Sequence, residues 1–266
     1  MVELLASARA GVRLLSLHGT ADLQRADRLL RQVWGTRPGD DPPISLDVMC
    51  ALAHVGGYIG GAFLDEELVG AAVGFLAADR SLHSHVAGVA SRARGLGVGL
   101  ALKEHQRAWA AERGLVAVSW TFDPLVRRNA YFNLVKLGAK VAEYLPDFYG
   151  PMSDGINDGD VSDRLFVTWP VTPDPAPATE RAAGPSETAA VTVLDEAGTV
   201  RPGGGAPLLR CATPPDIERL RVDEPGEARH WRAALGGVLG AAFADGYRIT
   251  GFTRSGWYLL ARGGTA

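Results

Sequence analysis

The sequence predicts an α+β fold: a central mixed, mostly antiparallel sheet flanked by helices in the manner of an α/β sandwich, followed by a small α+β unit. Apolar residues such as Leu23, Ala26 and Leu30 recur at helical spacing near the N-terminus, which is typical of an amphipathic helix. Farther along the chain, the helical spacing gives way to continuous apolar runs, which are separated by short polar turns such as Asp65–Glu67. This change of period is typical of antiparallel strands.

The elements of the first two-thirds of the chain follow from these patterns and from their end signals. A glycine follows each of several periodic segments, as at Gly114 and Gly138, and glycine in that position is a common helix end. In chain order we predict strand Val12–Ser16, helices Ala21–Trp34 and Leu46–Val55, strands Tyr58–Leu64, Leu68–Leu76 and Ser81–Ala90, helix Gly97–Arg113, strand Leu115–Phe122, helix Val126–Leu137, and strands Ala139–Tyr144 and Leu165–Trp169.

A stretch rich in glycine and arginine, Ser91–Leu100, lies between a predicted strand and a predicted helix. A strand that runs through glycines into a helix directs backbone N–H groups at one spot beside the positive end of the helix dipole. The stretch therefore predicts a phosphate-binding loop. A dinucleotide-binding fold is disfavoured, because Gly95-x-Gly97-x-Gly99 lacks the G-x-G-x-x-G spacing of that fold.

Proline, alanine and threonine dominate the segment 171–188, which favours a linker. We therefore predict a first domain over 1–170, a linker over 171–188 and a C-terminal α+β unit over 189–266. The elements predicted for the C-terminal unit are strands Ala189–Leu194, Pro207–Thr213, Tyr247–Thr253 and Gly256–Leu260 and helix Glu227–Phe243.

Composition disfavours several classes of protein. The formal net charge is −3, so no basic surface for nucleic acid is indicated. No apolar run approaches the roughly 18 residues of a membrane span, and Met1–Arg13 lacks the apolar core of a secretory leader. Cys50 and Cys211 are too few for a disulfide framework or a thiolate zinc site. We expect a cytoplasmic protein with no nucleic-acid partner, no membrane partner and no metal.

The pattern Arg92-x-x-Gly95-x-Gly97, between a strand and a helix, resembles the acyl-CoA-binding loop of the GNAT N-acetyltransferase superfamily. The resemblance covers about Leu14–Pro170 and includes the order of the predicted elements. Four further segments are similar to a subgroup of predicted acetyltransferases that carry a C-terminal extension: His83–His85, Trp120–Leu125, Arg128–Leu134 and Leu145–Gly150.

The resemblance implies an acyl-CoA co-substrate, acetyl-CoA by default or succinyl-CoA. The loop would hold the CoA pyrophosphate, because glycine lets the backbone approach a phosphate closely. The preceding strand would hydrogen-bond the pantetheine arm as if it were an added strand. The implied cofactor-binding residues are Gly88, Val89, Ala90, Arg92, Arg94, Gly95, Leu96, Gly97, Val98, Gly99 and Asn129.

Acyl transfer to an amine needs a general base and benefits from an acid for the leaving thiolate. His83 and His85 share one face of a strand, and an imidazole has an unperturbed pKa near neutrality, so one of them is the predicted base or positions a water for that role. The alternative is a structural histidine or one that binds the acceptor. Leu134 occupies the place of the family's usual tyrosine acid. Tyr131, one helical turn earlier, is the predicted substitute, and the alternative is that no dedicated acid is used.

Arg127 and Arg128 are predicted to bind a carboxylate of the acceptor or of a succinyl donor, because a guanidinium fits a carboxylate with two hydrogen bonds. Solvated surface arginines are the alternative. Trp120 is predicted to form a wall of the substrate pocket or part of the core.

Together these features predict a CoA-dependent N-acyltransferase that moves an acyl group, acetyl by default, directly to the primary amine of a small molecule such as an amino acid. A homodimer is the expected assembly by resemblance. Two alternatives stay open: a succinyl-CoA-dependent amino-acid N-succinyltransferase, and a non-catalytic module that binds acyl-CoA.

Overall fold

The described residues of the chain form two compact units. The structure is a computed structural model, and it describes residues 11–150, 161–172 and 187–263. The first unit contains 11–120 and 170–172, and the second contains 121–150, 161–169 and 187–263. The units thus divide after Trp120, whereas the predicted domain boundary lies at residue 170. The functional domains 1–170 and 189–266 stay a prediction, and 173–186 of the predicted linker lie outside the described residues.

The first unit confirms the elements predicted for it, with small differences at their ends. A single 3₁₀ turn, Ser91–Ala93, opens the glycine-rich stretch. The helices and strands are β1 Arg13–Ser16, α1 Thr20–Trp34, α2 Leu46–His54, β2 Tyr58–Leu64, β3 Glu67–Leu76, β4 Ser81–Val89, α3 Val98–Glu112 and β5 Ala117–Phe122, whose end runs on into the second unit.

The sheet of the first unit is mixed and mostly antiparallel, as predicted. Antiparallel pairing joins β1 to β2, β2 to β3 and β3 to β4, whereas β4 and β5 run parallel. Gly70 of β3 faces Val98 and Leu102 of α3, while Gly88 of β4 faces Leu30 of α1. Gly70 pairs with the neighbour of Gly88, and adjacent strand residues point to opposite faces. The helices α1 and α3 therefore cover opposite faces of the sheet.

The apolar stripe that predicted α1 is the one that packs on the sheet. Leu23, Ala26 and Leu30 are buried against strand residues that include Ile59 and Val86. Helical spacing places these side chains on one face, and burial of that face supplies the stability that a helix of this length lacks alone. This packing holds β4 and its polar residues in a rigid frame.

The second unit contains a hairpin and a separate sheet. The hairpin strands are antiparallel, and the separate sheet has the strand order β10-β11-β9-β8, with only β8 and β9 parallel. Its elements are α4 Arg127–Ala130, a π-helical turn Tyr131–Lys136, β6 Lys140–Leu145, β7 Arg164–Pro170, β8 Val191–Leu194, β9 Leu208–Ala212, α5 Ile217–Asp223, α6 Pro225–Ala244, β10 Tyr247–Phe252 and β11 Trp257–Arg262.

Two predictions about helices in the second unit are corrected. The helix predicted over Val126–Leu137 is confirmed as a helical segment, but its second half widens into a π turn in which the Leu137 N–H donates to the Phe132 carbonyl oxygen at 3.0 Å. Helix α5 was missed. The Asp216 side chain caps α5 by accepting the Arg219 N–H at 3.0 Å, a start signal that is readable in sequence.

None of the helices in the described part of the chain is long and apolar enough to cross a membrane.

Candidate functional site

Strands β4 and β5 are paired only near their beginnings. The parallel register runs from Ser81 opposite Ala117 to His83 opposite Ser119. Beyond His83 no further pair joins the two strands within residues 11–150, although β4 continues to Val89. A gap therefore opens beside β4, closed near His83 and Ser119 and open at the end of β4; in the first unit it is bounded by residues 84–89 of β4 and by Trp120. We call it the strand gap.

A bulge in β4 lies just past the closed end of the strand gap. Val86 pairs with Val73 of β3 and Ser84 pairs with Gly74, so His85 has no partner in β3. A bulge bends the strand that carries it and increases its twist. The bulge is therefore a physical reason for β4 to leave β5 at this point.

The backbone of β4 offers hydrogen-bonding groups along the strand gap. The Ala90 N–H donates to a β3 carbonyl oxygen 2.8 Å away, and its own carbonyl accepts the Ala93 N–H at 2.9 Å. Because backbone groups alternate sides along an antiparallel strand, Ala90 and Gly88 point toward β3. Val89 and Ala87 point toward the gap. Of the three residues predicted to line this edge, Val89 is the one whose N–H and C=O are directed into it.

The glycine-rich loop lies at the open end of the strand gap. Gly95 and Gly97 have φ angles of 82° and 85°, a left-handed conformation that other residues adopt only with strain. The first hydrogen bond of α3 runs from the Ala101 N–H to the Gly97 carbonyl at 3.0 Å. The N–H groups of residues 98–100 therefore have no partner inside the helix, and they point out of the positive end of its dipole.

The other predicted loop residues differ in exposure. Arg94 and Leu96 are exposed and Val98 is buried. Arg92 is half-exposed and pairs with Glu67 of β3. A Cβ at Gly99 would meet only the Val89 side chain, at 4.0 Å. The loop thus combines buried anchors with exposed backbone and arginine side chains, an arrangement suited to binding phosphate.

His83 and His85 lie on the face of β4 opposite α3, with the Phe75 ring beside both. The His85 Nε2 lies 3.0 Å from the Pro43 carbonyl oxygen. A carbonyl only accepts, so Nε2 carries the proton and Nδ1 is the nitrogen that can take up another. The His83 Nδ1 lies 3.3 Å from the Ser119 hydroxyl oxygen. The prediction that the two histidines share a face is confirmed.

The environment of His83 favours its neutral form. Burial lowers the pKa of His83, and the nearby His85 and Lys103 lower it further, while Asp79 opposes the shift. Both desolvation and like charge disfavour the imidazolium. A neutral imidazole is the form that a general base needs.

A buried polar cluster lies on the other face of the same strands. The Lys103 Nζ and the Gln106 Nε2 both donate to the Ser84 hydroxyl oxygen, each at 2.9 Å. The Lys103 Nζ also lies 3.8 Å from the centroid of the Trp120 ring. Trp120, predicted as pocket wall or core, is buried against this lysine. We call Lys103, Ser84, Gln106 and Trp120 the lysine cluster; it lies wholly in the first unit.

The lysine cluster was missed in sequence, although one signal was present. Lys103, Gln106 and Ala110 share one face of α3 at helical spacing, and all three are buried. Lysine is almost never buried without a partner. Only the tertiary structure places Ser84, from a strand earlier in the chain, beneath this face.

Arg127 and Arg128 contact the C-terminal part of the second unit. The Arg127 side chain donates to the hydroxyl and the carbonyl oxygen of Thr213. Arg128 forms a two-bonded ion pair with Glu218. The predicted carboxylate contact of Arg128 is therefore made by the protein's own Glu218, and the substrate-binding role of both arginines stays a prediction.

Asn129 and Tyr131 also belong to the second unit. Both are half-buried, and Tyr131 opens the π turn. Asn133, within this turn, is buried. π turns inside helices are frequent at functional sites, but the roles predicted for Asn129 and Tyr131 stay predictions. Within the described ranges, no three His, Cys, Asp or Glu side chains are grouped to hold a metal ion.

Comparison with known proteins finds one family profile that matches the N-terminal part of the chain. The sequence profile of the acetyltransferase (GNAT) family matches residues 8–134. No curated protein matches the chain in a sequence search.

Solved structures are similar over about three-fifths of the chain. An N-acetyltransferase from Staphylococcus aureus Mu50 superposes with a TM-score of 0.50 at 13% identity, over 60% of this chain and 99% of that one. The ribosomal-protein-S18-alanine N-acetyltransferase from Escherichia coli has a TM-score of 0.49 at 18% identity, over 61% of this chain and 96% of that one. Ard1 from Thermoplasma volcanium has a TM-score of 0.47 at 18% identity, over 61% and 99%. At such identity, the first of these similarities shows the fold and nothing further.

Proposed function

We propose that the chain is a CoA-dependent N-acyltransferase, because residues 8–134 match the profile of the acetyltransferase (GNAT) family. It moves an acyl group, acetyl by default, from acyl-CoA directly to the primary amine of a small molecule. One observation carries the proposal: at the open end of the strand gap, a glycine-rich loop leads directly into the N-terminus of helix α3.

Acyl-CoA lies along β4 in this proposal. The pyrophosphate binds the N–H groups of the loop from Gly95 to Gly99 and the helix dipole behind them. Arg92 and Arg94 add positive charge, with Arg92 exchanging its Glu67 partner for phosphate. The pantetheine amides pair with the backbone of Val89 and Ala87, which satisfies groups that would otherwise lack a partner.

His85 is the proposed base. It takes the acceptor's proton on Nδ1, because Nε2 is engaged with the Pro43 carbonyl. The acceptor attacks the thioester carbon as the neutral amine, its nitrogen loses one proton to His85, and the tetrahedral intermediate expels the CoA sulfur. His83 lies beside His85 and stays neutral, so no positive charge on His83 opposes the uptake of a proton by His85.

The remaining predicted residues have no fixed role in this proposal. Asn129 and Tyr131 are a predicted pantetheine contact and a predicted acid, and the proposal does not depend on either. Acetyl-CoA and succinyl-CoA remain the two candidate donors, with amino acids among the candidate acceptors. The cytoplasmic location and the homodimer also stay predictions.

Release of CoA thiol from acetyl-CoA or succinyl-CoA tests the proposal, scanned over amino acids, polyamines and aminoglycosides. Binding of acetyl-CoA is measured alongside by calorimetry. Acceptor-dependent release supports the transferase and identifies the donor. Binding without release for any pair would favour the non-catalytic module, and absence of binding would refute both functions.

A further inference from the structure

We propose that Ser84 and Lys103 hold the sulfur of bound CoA as a thiolate at the closed end of the strand gap, and so stabilise the leaving group of the transfer. The inference rests on the proposed function, because it takes the pantetheine arm to lie in the gap. It concerns residues for which the sequence predicts no role.

The lysine cluster marks the point where the strands part. Ser84 and Trp120 are the first residues of β4 and β5 beyond the last pair, His83 with Ser119. The Lys103 Nζ touches both, at 2.9 Å from the Ser84 oxygen and 3.8 Å from the Trp120 ring centroid. The amine of Lys103 therefore lies at the vertex of the gap.

The length of β4 brings the reactive end of the cofactor to this vertex. A strand rises about 3.3 Å per residue, so the stretch from Val89 to Ser84 spans about 17 Å. An extended pantetheine arm is of similar length between its pyrophosphate and its sulfur. An arm anchored at the glycine loop thus places its sulfur beside Ser84.

The Ser84 hydroxyl accepts two hydrogen bonds, and its own O–H donor is not used by the described residues. Its buried oxygen accepts from Lys103 and from Gln106, which uses both lone pairs of a hydroxyl. Its own O–H finds no acceptor among the side chains and backbone groups of the described residues. The Gln106 Oε1, in the same cluster, is buried without a hydrogen-bond partner there. The cluster is incomplete in the way expected of a ligand site.

The positive charge of Lys103 also has no negatively charged partner among the described residues. In the described part of the chain no carboxylate pairs with it, and the Trp120 ring face supplies only a weak attraction for a cation. Burial lowers the pKa of Lys103 to about 7. The titratable group nearest to it on a neighbouring element is His83, whose own pKa is lowered by burial first and by His85 and Lys103 as well, so His83 supplies no negative charge. A thiolate would supply the missing negative charge.

The step balances without a further reactant. When the intermediate collapses, the carbon–sulfur bond breaks, its electron pair stays on sulfur, and the oxyanion re-forms the carbonyl. The proton of the attacking amine goes to His85. The thiolate accepts the Ser84 O–H and faces the ammonium of Lys103. Lys103 orients the Ser84 hydroxyl through its hydrogen bond and offsets the charge of the thiolate from beside it, so it is a positioning residue for the leaving group.

Titration of bound CoA tests the inference without knowledge of the acceptor. The far-ultraviolet absorbance of the thiolate is followed against pH for CoA bound to the whole chain, with the S-methyl thioether of CoA as a reference that cannot ionise. We expect an ionisation constant at least tenfold larger than that of free CoA. A bound thiol that titrates as free CoA does would overturn the inference while leaving the transferase intact.

Variants show which residues change the ionisation constant of bound CoA. Lys103→Met and Ser84→Ala should each return the ionisation constant toward that of free CoA, whereas Lys136→Met, which removes an exposed lysine, should not. An unchanged constant in Ser84→Ala and Lys103→Met would overturn the inference. If Lys103→Met does not fold, the wild type and Ser84→Ala decide. Failure to bind the S-methyl thioether would refute the proposed function itself.

Discussion

Arg232 of α6 binds Asp123 at the end of β5 through two hydrogen bonds of 2.9 and 2.7 Å, across 109 residues of sequence. Arg221 adds a third, at 2.6 Å to the same carboxylate. Both Asp123 and Arg232 are buried. The segment that follows Trp120 therefore depends on the C-terminal residues for the partners of a buried charge. The C-terminal part of the chain is structural for this segment, whatever further role it has.

Replacement of Arg232 by methionine should destabilise the second unit by about 3–5 kcal/mol, because it leaves the Asp123 carboxylate buried with one partner fewer. Chemical denaturation measures the loss. Arg229→Met, on the exposed side of the same helix, should change the free energy of unfolding by less than about 0.5 kcal/mol. Equal effects of the two substitutions would contradict this account of the buried pair.

Acid should weaken the protein through the same carboxylate. Burial alone would raise the pKa of Asp123, but Arg232 and Arg221 outweigh it and lower the pKa to about 2, below about 3.9 for an unfolded aspartate. The stabilisation is then fully present above about pH 4 and is lost as the pH falls toward 2. Denaturation of the wild type and of Asp123→Asn at a series of pH values should show this slope in the wild type only. A similar slope in both would assign it to other carboxylates.

Gly95→Ala should weaken binding of acetyl-CoA at least tenfold. The substitution strains a residue with φ of 82°, by about 1–2 kcal/mol, and it puts a methyl group where the phosphate approaches the backbone. Gly114→Ala is the matched control, because Gly114 follows the other end of α3 with φ of 66° and open space around its Cβ position. Calorimetry should show normal binding in Gly114→Ala with a similar loss of stability. Weak binding in both variants would mean that strain alone is responsible.

His85→Gln should lower kcat by roughly 10²–10⁴-fold, the usual contribution of a general base, with little change in acetyl-CoA affinity. Glutamine keeps a donor for the Pro43 carbonyl but cannot take up a proton. Initial rates with the acceptor found by thiol release, together with calorimetry, separate the two effects. A variant that loses cofactor binding and keeps its kcat would remove His85 from the reaction.

The stability of the first unit should rise with pH above neutrality because of Lys103. The folded pKa of about 7 lies below about 10.4 for an unfolded lysine, so the unfolded chain binds more protons between these values. The free energy of unfolding therefore increases from pH 7 toward 10. Thermal unfolding of Lys103→Met should lack this increase and show a higher Tm at pH 7. The absence of any difference in slope between the two proteins would show that Lys103 stays protonated when buried.

The sequence by itself determined the elements of the first unit and the glycine loop. Their signals are local: the helical spacing of Leu23, Ala26 and Leu30, and glycines at Gly95 and Gly97 where the backbone needs a positive φ. The shared face of His83 and His85 followed from the period of a strand alone. Such features depend on neighbours in the chain, so a pattern of a few residues is enough to predict them.

The tertiary structure alone decided where β4 leaves β5, that His85 lies at a bulge, and that Lys103 lies on Ser84. It also decided that Arg127 and Arg128 are held by Thr213 and Glu218. Each of these depends on strand register or on a partner far away in sequence. The residues near a side chain in sequence do not indicate that distant partner, because the free energy that selects the partner comes from packing and desolvation in the assembled fold.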